Sequence, residues 1–229
     1  MYWDYWIVLG ITLLLSLSAS AYVKSSYAKY DKVMTSRGVT SNDFVRRMFF
    51  DNDITDVTVA HVAGNLTDNY NNSSKTLSLS DSTDGKATVA AVGVAAHEAG
   101  HAIQYKKDYF PVRLRSGMAG IVNIGSYLGI ILAVIGSFFA GELGETLIQI
   151  GLLLYSTVFL FTVVTLPVEI NASRRAISAV RSSGYFTEEE TAGMKKVLTA
   201  AALTYVAAMA SALLNLLRMI YIFGGRRRR

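Results

Sequence analysis

Along this chain, uncharged apolar stretches long enough to cross a hydrocarbon core alternate with polar segments that carry most of the charge. Four stretches qualify by length: Tyr5–Val23, Ser116–Gly141, Thr146–Val168 and Val197–Leu217. The last is the weakest, because Arg218 interrupts it before Met219–Gly225 and the terminal Arg226–Arg229. Between the first two stretches the period changes. Thr40 or Ser41 is placed to cap a short helix with Phe44, Val45, Met48 and Phe49 on one face, ended by Asp51-Asn52-Asp53. Val57 and Val59 flank Thr58, and Lys75–Ser80 alternates polar with apolar, so both read as half-buried strands. Asp68, Asn69, Asn71 and Asn72 read as turns. Lys86–Tyr105 is Ala-rich and free of proline, which predicts a helix.

Composition agrees with a membrane protein. Of the 229 residues, 52% are hydrophobic and 17% charged, against roughly 25% charged in a soluble domain. A purely soluble globule is thereby disfavoured. The fold expected is a mainly α-helical integral membrane protein, with three to four transmembrane helices and a small α+β segment. The net charge of +5 suits an anionic membrane surface as well as nucleic acid. Its spread along the chain, with the terminal arginines beside an apolar run, argues against a nucleic-acid interface.

Charge order sets the expected topology. Ala19-Ser20-Ala21 offers a signal-peptidase site, but no Lys or Arg precedes the first run while Lys24, Lys29 and Lys32 follow it, the order of an anchor. Twelve basic residues lie in Lys24–Arg115, five in Arg174–Lys196 and none in the hairpin Glu142–Glu145, so both polar segments are expected on the cytoplasmic side of a multi-pass cell-membrane protein. A fourth crossing would put Arg226–Arg229 on the opposite side, unless the last helix is re-entrant or interfacial. The pair Gly125-x-x-x-Gly129 has the spacing of a close helix contact, but with 18 glycines in the chain coincidence is the better explanation. The organisation expected is an anchor (1–23), a cytoplasmic α+β segment (24–115), a transmembrane hairpin (116–168), a cytoplasmic helix (169–196) and a C-terminal apolar helix with basic tail (197–229).

The chemistry gathers at His97-Glu98-Ala99-Gly100-His101. On a helix, four residues advance about 400°, so His97 and His101 share a face and reach one ion, with Glu98 beside it as a general base. The chain has no cysteine and only three histidines, so any metal rests on His, Asp or Glu. Gly100 costs about 1 kcal/mol relative to Ala inside a helix, which makes sense where something approaches closely. An open catalytic site needs a third ligand. No further histidine follows His101. His61 falls on the strand face of Val57 and Val59, where a lone histidine is more often structural. Glu142 and Glu145 lie across the membrane from the motif. Two crossings after His101 return the chain to its starting side at Glu169, and Pro167 predicts that a new helix begins there and runs to about Arg181. A carboxylate so near hydrocarbon is expensive without a partner, which favours a ligand over a helix-dipole role. Asn171, Arg174 and Arg175 follow as candidates to stabilise an oxyanion or brace Glu169, and the arginines equally suit anionic headgroups. Ligand type alone leaves zinc, iron, cobalt and manganese open.

Several segments resemble one family closely: Gly64-Asn65-Leu66-Thr67-Asp68-Asn69-Tyr70, Lys75–Ser80, Gly93–Gln104 around the motif, and Leu166-Pro167-Val168-Glu169-Ile170-Asn171-Ala172-Ser173-Arg174-Arg175-Ala176. Together they are similar to the YugP-type neutral zinc metallopeptidases of bacterial membranes, over nearly the whole chain. The resemblance implies a membrane-embedded gluzincin with one catalytic zinc on His97, His101 and Glu169, and Glu98 as base. More distantly the order of elements is similar to the HtpX-type membrane proteases. Those carry an aspartate where this chain has Ser173, and the family loop tends to a His and an Asp where this chain has Asn69 and Asn71, so no role passes to these positions. A protein or peptide substrate near the bilayer is expected, hydrolysed by a zinc endopeptidase. The alternative is a non-proteolytic membrane scaffold with a structural zinc, in which an intact Glu98 would have no use. The strand Lys75–Ser80, just upstream of the motif, is a candidate to pair with an extended substrate.

Overall fold

The computed structural model describes residues 2–224; the basic tail at Arg226–Arg229 lies outside the described residues. The elements are α1 (Tyr2–Tyr30), α2 (Ser41–Phe50), β1 (Thr58–Val62), β2 (Asn69–Asn71), β3 (Thr76–Ser80), α3 (Val89–Lys106), α4 (Phe110–Gly136), α5 (Glu142–Ser183) and α6 (Glu188–Gly224). They build two compact units. One comprises residues 1–18, 113–167 and 204–229, the other 19–112 and 168–203.

The first unit is turned inside out relative to a soluble protein. Leu14, Ile124, Leu153 and Leu217 are more than half exposed, the pattern of side chains solvated by lipid tails. α1, α4, α5 and α6 are each long and apolar enough to cross a membrane, so the run broken at Arg218 qualifies with the others. Here the glycine pair proves to be a contact rather than coincidence. A Cβ on Gly129 would lie 2.8 Å from the Gly151 carbonyl oxygen, and one on Gly125 would lie 2.9 Å from that of Leu154. Without a hydrophobic drive between helices in lipid, such close backbone approach supplies the dispersion contacts that hold α4 against α5.

The second unit has an ordinary core. Thr40 caps α2 by accepting from the Asp43 amide, and Phe44, Val45, Met48 and Phe49 are buried against α3. The sheet order is β1-β3-β2, with β1 parallel and β2 antiparallel to β3. Two expectations are corrected. Asn69–Asn71 is a strand, not a turn; asparagines carry no alternating apolar signal, and pairing of Tyr70 with Leu77 supplies what propensity does not. β3 is the central strand, paired on both sides, so it has no free edge for a substrate. The edges are β1 and β2.

The expected helix start at Pro167 does not occur. α5 runs unbroken through it for 42 residues. Proline removes one amide donor, but a chain leaving the helix at that point would expose several backbone groups beside hydrocarbon, a larger cost. Glu169 therefore sits mid-helix. Likewise α6 begins at Glu188, with Glu190 accepting from the amide of Thr187, and the break between the two helices is the turn around Gly184.

Candidate metal centre

The site is made by two helices of the second unit. Thr88 ends the preceding loop and caps α3 by accepting from the Ala91 amide at 3.2 Å. From there α3 buries a small-residue face, Ala91, Ala95, Ala99 and Ala102, which lets neighbours approach closely. Gly100 carries this furthest. A Cβ there would lie 2.6 Å from the carbonyl oxygen of Ala172 on α5, so glycine is required by a backbone that cannot rotate aside. On α5, Val168, Ala172, Ala176 and Val180 are buried at a spacing of four, a ridge of the kind that packs into a helix groove. Glu169 is carried at the edge of that ridge.

This crossing brings His97, His101 and Glu169 together, with one donor atom from each within 4.8 Å of the others. The imidazole planes stand at 84°. His97 Nε2 is 3.2 Å and His101 Nε2 3.4 Å from the same oxygen, Glu169 Oε2. A tetrahedral ion with bonds of about 2.0–2.1 Å has ligand edges of about 3.3–3.4 Å, so these separations fit a small divalent cation as they stand. Glu169 is 3% and His101 7% exposed, so little water competes for these donors.

The opposite ring nitrogens are pinned. His97 Nδ1 lies 3.0 Å from Ser173 Oγ, and His101 Nδ1 3.0 Å from Gln104 Oε1. Gln104 cannot be turned the other way, because its amide nitrogen already donates to the Val168 carbonyl at 2.7 Å and to Asn171 Oδ1 at 3.0 Å. Its oxygen must therefore accept from His101 Nδ1–H, which leaves the Nε2 lone pair for a cation. Asn171 is in turn held by Arg175 Nε at 2.8 Å, and Arg175 lies over the Tyr109 ring. Asn171 and Arg175 thus brace the site at one remove. Arg174 is exposed and turned away, into a groove on the other side of α5.

Glu98 is partly exposed beside His97, and among the described residues its carboxylate has no hydrogen-bond partner. Burial pushes its carboxyl up, partly offset by the charge of His97 and His101. Burial pulls the His101 imidazole down, but the hydrogen bond it donates to Glu169 and the charges of Glu98 and Glu169 outweigh this and raise it. His61 takes no part: its Nε2 pairs with Asp81 Oδ1 at 2.7 Å, exposed at the end of the sheet. The sequence alone assigns no role to Gln104 and passes none to Ser173, yet both meet the histidines, and their spacing gives a signal. Gln104 is three residues beyond His101 and Ser173 four beyond Glu169, each one helical turn from a candidate ligand.

Comparison with known proteins places this geometry. The pattern of the family described as "Putative neutral zinc metallopeptidase" matches residues 5–224. The chain is 40% identical over 209 residues to the "Putative membrane protease YugP" of Bacillus subtilis (strain 168), covering 91% of this chain and 92% of that protein. No solved structure matches the chain. With a family match across almost its full length, apolar helices of spanning length and a three-donor cluster able to hold one metal ion, the chain belongs to the neutral zinc metallopeptidases, membrane proteins whose cofactor is zinc.

Proposed function

We propose that the chain is an endopeptidase that hydrolyses peptide bonds of membrane or membrane-proximal proteins, with His97, His101 and Glu169 holding its zinc and Glu98 as its general base. The observation that carries this is the convergence of both histidine Nε2 atoms on one Glu169 oxygen, beside a partly exposed glutamate with no partner among the described residues. A zinc ion held there supplies Lewis acidity toward both the attacking water and the scissile carbonyl. Glu98 takes the proton as the water oxygen bonds to the carbonyl carbon, and delivers it to the amide nitrogen as the C–N bond breaks. Gln104 keeps the His101 imidazole in one tautomer, and Ser173 helps hold the orientation of the His97 ring. An extended substrate adds to a free sheet edge, and β2, which packs against α3, is the edge nearest the motif in the contact pattern. Glu169 follows directly on the apolar run ending at Val168, which favours substrates held at the bilayer, and the seventeen basic residues of the two polar segments favour the cytoplasmic side.

The test is Glu98→Gln in the detergent-purified full chain. Zinc content by mass spectrometry should match wild type, while cleavage of an unfolded protein substrate falls on the order of 10²–10⁴-fold. Equal cleavage by the variant would remove Glu98 from the chemistry. Zinc retained with no cleavage by wild type on any substrate tried would transfer the site to a structural role in a membrane scaffold.

A further inference from the structure

Within the second unit, α5 and α6 border an open groove of about 850 Å³. Its chemistry is divided. Ile170, Ile177 and Leu198 make it apolar, and Arg174, Arg181 and Lys195 make it cationic, with no Asp or Glu in the lining. All three cations are exposed, and among the described residues none of them forms an ion pair. Arg174 and Arg181 lie seven residues apart on one helix, about 10 Å along its axis, so they can flank one anionic group without closing on each other. Such a groove is complementary to an anion that carries hydrocarbon.

Its position in the chain says where that molecule comes from. Ile170 lies two residues beyond the apolar run of α5 that ends at Val168, and Leu198 lies at the start of the α6 run that opens at Val197. The groove therefore begins just past the point where α5 leaves its lipid-like sequence, and on α6 it crosses the point where that sequence begins. It also touches the metal centre from behind. Ser173 lines the groove, and its hydroxyl meets His97 at Nδ1, whereas the cation-facing nitrogen is Nε2. An occupant cannot present a peptide bond to the zinc from that side, which excludes the substrate's reacting segment.

We infer that this groove is a binding site for an anionic phospholipid, its phosphate held by Arg174, Arg181 and Lys195 and an acyl chain lying on Ile170, Ile177 and Leu198. The site stands independently of proteolysis, since neither the cations nor the apolar residues are needed to hold zinc. Three basic side chains at a membrane surface contribute about 1 kcal/mol each, which corresponds to on the order of a hundredfold in affinity.

The experiment uses the zinc-loaded full chain in detergent and measures retained lipid by native mass spectrometry. Wild type should retain one phosphatidylglycerol under conditions where phosphatidylcholine of the same chains is lost. The triple variant R174Q/R181Q/K195Q should bind phosphatidylglycerol about a hundredfold more weakly, and Ala202→Phe, which sets a bulky ring on a residue that also lines the groove, at least about tenfold more weakly. Zinc content reports that each variant is folded. A control that removes three exposed charges elsewhere, K32Q/R37Q/K107Q, should leave binding within about threefold of wild type. Equal losses in the control and the triple variant would reduce the effect to general surface attraction, and equal retention of phosphatidylcholine would remove the headgroup from recognition. Either result overturns the site. So would displacement of the lipid by an equal concentration of glycerol phosphate, which would make the ligand a free anion, or by a Glu-rich peptide, which would make the groove a peptide-docking surface.

Discussion

His61 and Asp81 are closer together than either histidine of the metal centre is to its carboxylate: 2.7 Å against 3.2 and 3.4 Å. Distance therefore does not distinguish the two places. Exposure does: the His61 and Asp81 side chains are 52% and 55% exposed, those of His97, His101 and Glu169 13%, 9% and 3%. Water at the exposed pair screens the charges and competes for every lone pair, so an ion gains little there that it does not already have in solution. Asp81 is also already committed, its second oxygen accepting from the Gly64 amide at 2.8 Å. The buried trio has a third donor, a water-poor surround, and a hydrogen-bonding side chain behind each imidazole. What a histidine–carboxylate contact becomes is decided by how many donors converge and by what holds their other atoms.

The largest expected effect comes from taking one donor out of the buried set. In Glu169→Ala the zinc dissociation constant should rise at least about a hundredfold, since loss even of a group that only braces a ligand costs 10–100-fold. Glu169→Gln keeps the shape and the α5 packing and should lose most of the same affinity. Chelator competition followed by metal analysis checks both. Stoichiometric zinc in both variants, at wild-type affinity, would mean that the two histidines hold the metal with some other third donor.

A smaller effect is expected from moving the donors without changing them. Gly100→Ala gains about 1 kcal/mol of helix propensity but sets a methyl 2.6 Å from a backbone oxygen, an overpacking that costs about 1–3 kcal/mol. Because the carbonyl of Ala172 cannot swing aside, α5 must shift against α3 and carry Glu169 with it. Zinc affinity should fall by roughly tenfold and the melting temperature should drop. A variant that matches wild type in both would show that the crossing tolerates displacement and that the site is not set by backbone contact.

The same contrast explains what could be read from the chain. Burial in lipid and burial in protein leave different marks. The first half of α5 announces itself because every side chain facing hydrocarbon must be apolar, and a run of uncharged residues is visible without any structure. Its second half is written in small residues, Val168, Ala172, Ala176 and Val180, at a spacing that many helices share. That α3 receives this ridge at Gly100 is a fact about two segments far apart in sequence. His97 and His101 were legible because their geometry is local to one helix. Glu169 was reached by topology, through the argument that two crossings return the chain to its starting side. The continuity of α5 through Pro167 was hidden because proline's preference for a first turn is a property of helices in water, where a broken helix can be solvated. β2 was hidden because its pairing with β3, rather than its own Asn-rich sequence, makes it a strand.

The smallest effect belongs to the exposed pair, and it has a distinct signature. His61→Ala should leave zinc content at the wild-type level, which would fail only if His61 were the third donor in place of Glu169. Asp81 has a lowered carboxyl, chiefly because the Gly64 amide donates to it and next because His61 does. The sign follows from linkage. A carboxylate whose folded value lies below its unfolded one adds stability above the unfolded value, and loses it as pH falls through the folded one. In the chelated, zinc-free protein, where histidine release of metal cannot intervene, wild type should therefore melt slightly above Asp81→Asn by a constant margin at pH 5 and higher. The margin should close as the pH is taken below about 4, the ordinary carboxylate range. A margin that stayed the same from pH 6 down to pH 3 would mean that the charge on Asp81 is not what stabilises the loop, and the exposed pair would have to be redrawn as a neutral hydrogen-bond strut.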